Sequence, residues 1–349
     1  MNKRTVAVIF GGRSPEYDVS LKSAYSIINA INTGKYEVVL LGITRQGHWY
    51  RYTGPVEDIP NDQWHTRDDF LVSSVLSPSL GGGLVELRNG LAVSSNVDVV
   101  FPVLHGRFGE DGTVQGLCEL AGIPVVGSGS AASALCMDKD RAHKLVGQAG
   151  IRVPKSVCFE CAPTDEEALS VGRELGLPLY VKPVKAGSSF GITRVDHSSG
   201  LLDAVRLALS YDDAVILEES IDGFETGCSV VGNEELITGR IDEIELTGGF
   251  FDYEEKYTLK TSKIHMPARI DEGTERRLQE TAKKIYRTLG CKGYARVDIF
   301  LTSQGEIIFN EANTIPGFTS HSRFPNMIKG IGIEYPKLIE MLIKLGMRN

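Results

Sequence analysis

Two carboxylates, one amide and one arginine occur close together near the carboxyl end of this chain. They lie in RVDIFLTSQGEIIFNEANTIPGFTSHSR, residues 296–323. RVDIF and EIIFNEAN alternate polar and apolar residues on either side of the turn SQG, which predicts a β-hairpin with one buried face. Side chains two positions apart on a strand point the same way, so Arg296 shares a side with Asp298. Glu311 shares a side with Asn313 for the same reason. Pairing of the strands therefore gathers oxygen ligands of the kind that Mg²⁺ prefers.

A solvated polar face is the simpler interpretation of any one of these residues. Four of them together, followed by a segment with little apolar content beyond Ile315 and Phe318, favour a functional site. A magnesium cluster of this type usually holds the phosphates of a nucleotide. The chain should then also contain a segment that binds phosphate.

Lys139 and Lys182 are the candidates for that segment. SALCMDKDRAHKLVGQAGI predicts one helix carrying Lys139 among other basic residues, whose alternative role is a solvated surface. LPLYVKPVKAGSSFGIT predicts a strand with Lys182, a loop of small residues and a further strand. The P-loop pattern GxxxxGK[ST] is absent. A lysine on a strand before a glycine and serine loop is typical of a flap that covers a triphosphate with backbone N–H groups.

A pair of acidic residues follows on the next predicted strand. AVILEESIDGFETGCSVVG predicts a strand ending in Glu218 and Glu219, then a turn and a strand with Glu225. Such a strand end can bind adenine and ribose, and acidic residues at a sheet edge are the equal alternative. Amphipathic helices are predicted for EGTERRLQETAKKIYRTLG and for EYPKLIEMLIKLG.

The amino-terminal part reads as the start of a doubly wound α/β domain. TVAVIF predicts a strand, and a glycine turn leads from it into an amphipathic helix. The GxGxxG fingerprint is absent, which disfavours a nicotinamide enzyme. Glu16 lies near the helix start, where capping is the alternative role. His105 follows the buried strand DVVFPVL, at the strand end where open α/β sheets bind ligands, and a structural histidine is the alternative. Residues 47–96 are polar and rich in turns, and no assignment follows for them.

Length and charge exclude several classes of protein. A chain of 349 residues is expected to form two or three domains. The net charge of -8 argues against non-specific nucleic-acid binding. No apolar run approaches membrane-spanning length. The six cysteines contain one CxxC, Cys158 and Cys161, without a second pair, which fits ordinary thiols in a reducing cytoplasm.

At this point the sequence resembles the ATP-grasp ligases, and within them the D-alanine:D-alanine ligases. The motifs run nearly from end to end: GGRSPEYDVS, HGRFGEDGTVQG, MDKDRAHK, VKPVKAGSSFG, FFDYEEKY, GYARVD and FNEANTIPGFTSHSR. The resemblance implies an α/β ATP-grasp fold with an amino-terminal doubly wound, Rossmann-like domain. It implies domains at residues 1–127, 128–214 and 215–349, a loop lid at about 247–263, and a homodimer.

The resemblance also implies the roles of individual residues. D-alanine would be phosphorylated by ATP, and the amine of a second D-amino acid would attack the acyl phosphate. Arg296 and the backbone at Gly317 would stabilise the oxyanion. The lid would exclude water, and a hydrogen-bonded triad of Glu16, Ser188 and Tyr257 would hold it down. Two Mg²⁺ ions, for which Mn²⁺ can substitute, would lie on Asp298, Glu311 and Asn313. The implied ATP-binding residues are Lys139, Lys182, Ser189, Glu218, Glu219, Ile221, Glu225 and Lys256.

Two positions depart from the D-alanine:D-alanine pattern. Phe251 replaces a tyrosine in FFDYEEKY, and Arg323 follows Ser322 in HSRFP. The resemblance implies that Ser322, Arg323 and His105 line the pocket for the second substrate. An arginine in a closed pocket needs an acceptor, and D-serine offers a hydroxyl oxygen where D-alanine offers a methyl. With these changes the chain resembles the D-alanine:D-serine ligases of glycopeptide resistance, of the VanG and VanC type.

Three other functions stay open at this level. An ordinary D-alanine:D-alanine ligase of cell-wall synthesis is the runner-up. D-lactate as second substrate is disfavoured, because the relatives that use it lack the lid tyrosine that is Tyr257 here. A nucleotide-binding protein that has lost the chemistry is disfavoured by the intact Arg296 and metal-binding residues.

Overall fold

The computed structural model describes residues 3–246 and 262–348. The helices in these ranges are α1 (Tyr17–Ala30), α2 (Thr113–Ala121), α3 (Ser130–Met137), α4 (Lys139–Gln148), α5 (Asp165–Leu175), α6 (Leu201–Leu209), α7 (Glu272–Thr288), α8 (Arg323–Lys329) and α9 (Tyr335–Gly346). The strands are β1 (Arg4–Gly11), β2 (Tyr36–Ile43), β3 (Trp49–Tyr52), β4 (Leu71–Leu76), β5 (Leu84–Arg88), β6 (Leu91–Ser95), β7 (Val99–Val103), β8 (Ser156–Phe159), β9 (Leu179–Pro183), β10 (Thr193–Val195), β11 (Val215–Glu219), β12 (Gly223–Val231), β13 (Ile237–Thr238), β14 (Asp242–Leu246), β15 (Ser262–His265), β16 (Tyr294–Thr302) and β17 (Ile307–Asn313).

The first sheet has the strand order β6-β5-β4-β3-β2-β1-β7. Strand β1 pairs in parallel with both β2 and β7, and its residues from Val6 to Phe10 are fully buried. A run of β-branched and aromatic residues buried on both faces is what a central parallel strand requires. The doubly wound start predicted from TVAVIF is therefore confirmed. The unassigned residues 47–96 supply β3 to β6, which extend the sheet by antiparallel pairing.

The second sheet is antiparallel and has the order β10-β9-β11-β8. Helices α5 and α6 pack on it, and their apolar residues form one core with Leu179, Val181 and Leu217. Strand β11 begins at Val215 and belongs to this sheet, so the sheet extends past the boundary predicted between residues 214 and 215. A strand pattern does not reveal which sheet the strand joins, and this placement required the structure.

The third sheet has the order β15-β14-β12-β16-β17, with β13 paired to β12. Strands β16 and β17 form the hairpin expected from the alternating pattern. Helix α7 covers this sheet through Leu278, Ala282 and Ile285, which are fully buried and follow helical spacing. The expected helix before the hairpin is thereby confirmed.

One predicted helix is two helices in the structure. The prediction of a continuous helix over SALCMDKDRAHKLVGQAGI was wrong, because α3 ends at Met137 and α4 begins at Lys139. Asp138 lies between them with an extended backbone, and its carboxylate accepts a hydrogen bond from the backbone N–H of Arg141 at 3.0 Å. An aspartate at this position caps the new helix. Lys139 therefore stands in the first turn of α4.

The last helix returns to the beginning of the chain. Its buried residues Leu338, Ile339, Leu342 and Ile343 belong to the same apolar cluster as Val6 and Phe10 of β1. This packing holds the third sheet against the first and places the segment after β17 next to the carboxyl ends of β1 and β7. None of the helices that the structure describes is long and apolar enough to cross a membrane.

Candidate active site

The hairpin places its polar residues opposite one another. Arg296 pairs with Asn313 and Asp298 pairs with Glu311, as the spacing predicted. The register shifts between Asp298 and Ile299, which is the mark of a β-bulge. Bulges are common beside active sites, because they turn side chains away from the regular ladder.

Asp298 is the buried centre of this group, with 1% of its surface exposed. The Nε of Arg296 donates to both carboxylate oxygens at 2.9 and 3.0 Å, and Nη2 donates at 2.7 Å. The amide nitrogen of Asn313 lies 3.0 Å from Oδ2 of Asp298 and 3.5 Å from Oε1 of Glu311. Four polar groups from two strands therefore meet within hydrogen-bonding distance.

The donor set fits a magnesium ion that also binds phosphate. Asp298, Glu311 and Asn313 offer two carboxylates and one amide oxygen. In the described ranges, no group of three or more histidine, cysteine or acidic residues is arranged to hold a metal by itself. Mg²⁺ typically takes only one or two carboxylates from the protein and completes its shell with phosphate oxygens and water. The residues present match that division.

Arg323 also reaches this group, and its contacts correct one sequence argument. Nε and Nη2 donate to the two carboxylate oxygens of Asp242 at 2.8 Å each, and Nη1 donates to Glu225 at 3.0 Å. Nη1 lies 3.4 Å from Asp298. The side chain therefore has acceptors from the protein, and the expectation that a substrate must supply one was wrong. Asp242 was missed because an acidic residue early in a strand gives no signal of its distant partner.

A cavity of about 430 Å³ lies between the second and third sheets. It is lined by seven of the residues implied for ATP, namely Lys139, Lys182, Ser189, Glu218, Glu219, Ile221 and Glu225. The eighth, Lys256, lies outside the described residues. Glu311 of the hairpin lines the same cavity, so the phosphate candidates and the metal candidates face one space.

Lys182 and Glu218 form a buried ion pair at the back of this cavity, with a direct hydrogen bond between them. Burial by itself would raise the pKa of the Glu218 carboxyl, but its interactions with neighbouring groups, the strongest of them with the positive charge of Lys182, outweigh burial, and the pKa is lowered. Lys139 is buried as well, and its ammonium donates to the carbonyl of Ala186 at 2.7 Å. Lys139 thus holds the start of the glycine and serine loop and does not belong to a solvated surface.

His143 is a second residue that sequence reasoning missed. Its Nε2 lies 2.7 Å from the carbonyl oxygen of Asn310, which can only accept, so Nε2 carries the proton. Its Nδ1 faces Oε1 of Glu218 at 3.9 Å, and neither atom has a hydrogen-bond partner within the described parts of the chain. His143 therefore links the strand of Glu218 to the strand of Glu311.

A further cavity of about 420 Å³ adjoins the hairpin on the side of the first sheet. Its lining contains Glu16, His105, Ser188, Arg296, Gly317, Ser322 and Arg323, which are the described members of the catalytic and substrate groups named above. Ser188 donates a hydrogen bond to Glu16 across 172 residues of sequence. The glycine and serine loop that follows β9 of the second sheet thereby contacts the start of helix α1, which packs on the first sheet. Tyr257, the third member of the implied triad, and Phe251 lie outside the described residues.

Two buried groups set the electrostatics of this cavity. Burial lowers the pKa of His105 to about 4, so its imidazole is neutral, with Nδ1 donating to the carbonyl of Ile315 at 2.9 Å. Glu110 accepts from the backbone N–H of Gly106 at 2.7 Å. Burial, together with the negative charge of Glu16, raises the pKa of the Glu110 carboxyl to about 8. Sequence reasoning missed Glu110, although it stands in the quoted HGRFGEDG motif.

Fold and cavities together define an ATP-grasp protein, with a nucleotide cavity between two antiparallel sheets and a substrate cavity against a doubly wound one. Family models agree: the D-ala D-ala ligase N-terminus matches residues 5–128, and the D-ala D-ala ligase C-terminus matches residues 145–344. The chain belongs to the D-alanine–D-alanine ligase family.

Three similar proteins show the range within the family. The vancomycin C-type resistance protein VanC1 of Enterococcus gallinarum is 43% identical over 98% of each chain. A D-alanine–D-alanine ligase of Oceanobacillus iheyensis is 38% identical over 99% of this chain and 96% of its own. The crystal structure of VanG D-Ala:D-Ser ligase from Enterococcus faecalis superposes with a TM-score of 0.90 at 56% identity, covering 99% of both chains.

Proposed function

We propose that this protein joins D-alanine to D-serine with conversion of ATP to ADP and phosphate, through a D-alanyl phosphate intermediate. The product would serve as a peptidoglycan precursor in glycopeptide resistance. The observation that carries the proposal is the placement of Arg323, with Asp242 and Glu225, between the metal candidates and the substrate cavity. The similarity to VanG D-Ala:D-Ser ligase supports the same assignment.

The first half of the reaction activates D-alanine. Glu16 offers a carboxylate to the substrate ammonium, and its hydrogen bond from Ser188 fixes its orientation. Lys139 from the first turn of α4 and Lys182 from strand β9 hold the phosphates of ATP. Mg²⁺ held by Asp298, Glu311 and Asn313 would supply positive charge to offset the charge of the transferring phosphoryl group. The D-alanine carboxylate attacks the γ-phosphate, and ADP leaves.

The second half forms the peptide bond. The amine of D-serine attacks the acyl phosphate, and negative charge develops on the carbonyl oxygen. Arg296 lines the substrate cavity and is held at Asp298 by three hydrogen bonds, so its positive charge needs no rearrangement to stabilise that oxyanion. The backbone N–H of Gly317 lies on the same wall and serves as a second donor. Phosphate then leaves.

Arg323 and its acidic partners supply the preference for D-serine. A hydroxyl both donates and accepts hydrogen bonds, and the ion pair of Arg323 with Asp242 presents a donor and an acceptor together. The methyl group of D-alanine satisfies neither. Sites built to bind a hydroxyl discriminate strongly against analogues that lack it. In the sequence, Phe251 lacks the hydroxyl of the tyrosine that it replaces, and Tyr257 is retained, which favours an amine over the hydroxyl nucleophile of D-lactate.

A competition assay tests the proposal. The purified protein is given ATP, Mg²⁺, D-alanine and equimolar D-serine, and the dipeptides are separated and quantified. We expect mostly D-alanyl-D-serine from the wild type and a shift toward D-alanyl-D-alanine from Arg323→Leu. Mostly D-alanyl-D-alanine from both proteins would make this an ordinary cell-wall ligase, the alternative that the Oceanobacillus relative favours. ATP hydrolysis that ignores D-amino acids would reject both.

A further inference from the structure

A third cavity, of about 290 Å³, lies in the first sheet beyond His105, on the side away from the nucleotide. It opens at the ends of β1 and β2, where Gly11, Gly12 and Ile43 form its rim, and at the end of β7, where Leu104 follows. Strand β1 lies between the parallel strands β2 and β7, so the cavity stands where chain connections diverge to the two faces of the sheet. Open α/β sheets bind ligands at such positions. His105, named above for the substrate, also lines this cavity, but no other residue assigned above does.

The charge of the cavity is positive. Arg13 and Arg107 both line it, and none of the acidic residues that the structure describes does. Neither guanidinium has an ion-pair or hydrogen-bond partner anywhere in residues 3–246 and 262–348. Both lie beside Phe108, whose ring centroid is 5.1 Å from each guanidinium carbon. Both arginines are exposed, and two guanidinium groups beside one aromatic ring would attract an anion.

The backbone holds these groups in place against local strain. Phe108 has a φ of +66°, a left-handed conformation that is uncommon for a bulky residue. Its N–H is held by the carboxylate of Asp111 at 2.7 Å, and its ring remains 37% exposed at the cavity. Gly47, with a φ of +90°, leaves room for Arg13, since a Cβ at Gly47 would lie 2.8 Å from Cδ of that side chain. Strain of this kind tends to persist where a binding function selects it.

The floor of the cavity is apolar. Leu104, Val114 and Leu117 line it beneath the arginines, and Trp49 adds a second aromatic surface. An apolar floor with a few charged groups at one end is typical of sites for small organic ligands. The volume suits a molecule of one or two rings.

We propose that this cavity binds a small organic anion, with its acidic group between Arg13 and Arg107 and its flat apolar body on Phe108, Leu104 and Val114. The site shares only His105 with the residues assigned to the ligase reaction, and the proposal does not depend on which second substrate the enzyme uses.

Anilinonaphthalene sulfonate is a suitable probe, because it joins an anion to a flat apolar body and its fluorescence reports binding. The full chain is titrated with ADP and Mg²⁺ in excess, so that the nucleotide cavity is filled. We expect one probe per chain. The double variant Arg13→Gln/Arg107→Gln should raise the dissociation constant at least tenfold, or about 1.4 kcal/mol. Phe108→Gly should weaken binding as well.

Arg4→Gln is the matched control, because Arg4 is an exposed arginine of the same domain at the opposite end of β1. It should leave the dissociation constant unchanged. The neutral phenylnaphthylamine should bind the wild type at least tenfold more weakly than the sulfonate. Equal affinity of the sulfonate for wild type and double variant, or equal affinity of the neutral and anionic probes, would overturn the proposal.

Discussion

Replacing Arg323 by methionine should destabilise the third sheet, because the arginine neutralises buried carboxylates. Arg323 is 8% exposed and Asp242 is 1% exposed, and two hydrogen bonds of 2.8 Å join them. Methionine keeps most of the volume and removes the charge. Among the described residues, Asp242 then retains only the hydrogen bond from the N–H of Gly227, at 2.9 Å. Breaking a buried ion pair from one side typically costs about 3 to 5 kcal/mol. Asp298 still has Arg296, so we expect the lower end, about 3 kcal/mol.

Hydrogen exchange at Gly227 measures this loss locally, which avoids assuming that a multidomain chain unfolds in one step. Protection of that N–H should fall by a factor of about a hundred in Arg323→Met. Asp242→Asn combined with Arg323→Met should cost less than the two single changes together, because the variants share one interaction.

Arg240→Met is the matched control, because Arg240 forms an ion pair with the same two-bond geometry as that of Arg323 with Asp242. Arg240 binds both oxygens of Glu275 at 2.7 and 3.0 Å, but its side chain is 38% exposed. An exposed pair contributes about 0.2 to 1 kcal/mol. If Arg323→Met cost no more than Arg240→Met, Arg323 would not be the counter-charge that holds this region together.

Three further outcomes follow from the site. His143→Gln keeps an N–H at the position of Nε2 and should change the KM for ATP less than threefold. His143→Asn loses that N–H and should raise the KM about tenfold. Equal effects of the two variants in steady-state kinetics would contradict the hydrogen bond to Asn310. Because the pKa of the buried Glu110 carboxyl is raised to about 8, it contributes stability that is fully present below about pH 4.5 and is lost as pH rises through 8. The urea midpoint of the wild type should therefore fall between pH 5 and pH 8 by more than that of Glu110→Gln, and parallel curves would refute this. Asp298→Asn should raise the Mg²⁺ concentration needed for ATP binding at least tenfold, as measured by calorimetry without D-amino acids, and an unchanged requirement would remove Asp298 from the metal site.

The sequence pattern predicted those helices and strands whose apolar residues recur at helical spacing or alternate with polar residues. The hairpin of β16 and β17 was predictable because alternation forces Arg296 and Asp298 to one side, and the turn length fixes their partners. Helix α7 was predictable from its apolar spacing. The break at Asp138 was missed, although aspartate before a basic residue is a capping signal, because the helical pattern continues on both sides of it.

The sequence motifs predicted which residues form the candidate site, but not the contacts between them. Lys139, Lys182 and Glu218 come from different helices and strands. The resemblance to the family implied that all three bind ATP, but not which atoms each side chain contacts. The structure adds the orientation, with Lys139 turned to the carbonyl of Ala186 and Lys182 paired to Glu218. His143 and Glu110 stood within quoted motifs, but only their burial distinguishes them from neighbouring polar residues.

The sequence by itself determined the class of this protein, because the motifs of one family occur in order along nearly the whole chain. Tertiary structure alone decided what Arg323 contacts, because Asp242 is 81 residues away in the sequence and nothing local predicts that pair. It also decided that α9 packs on α1 and β7 and that residues 47–96 extend the first sheet. Secondary structure depends on residues a few positions apart, which a sequence displays directly. Charge pairing and packing depend on distances in space, and these exist only once the whole chain has folded.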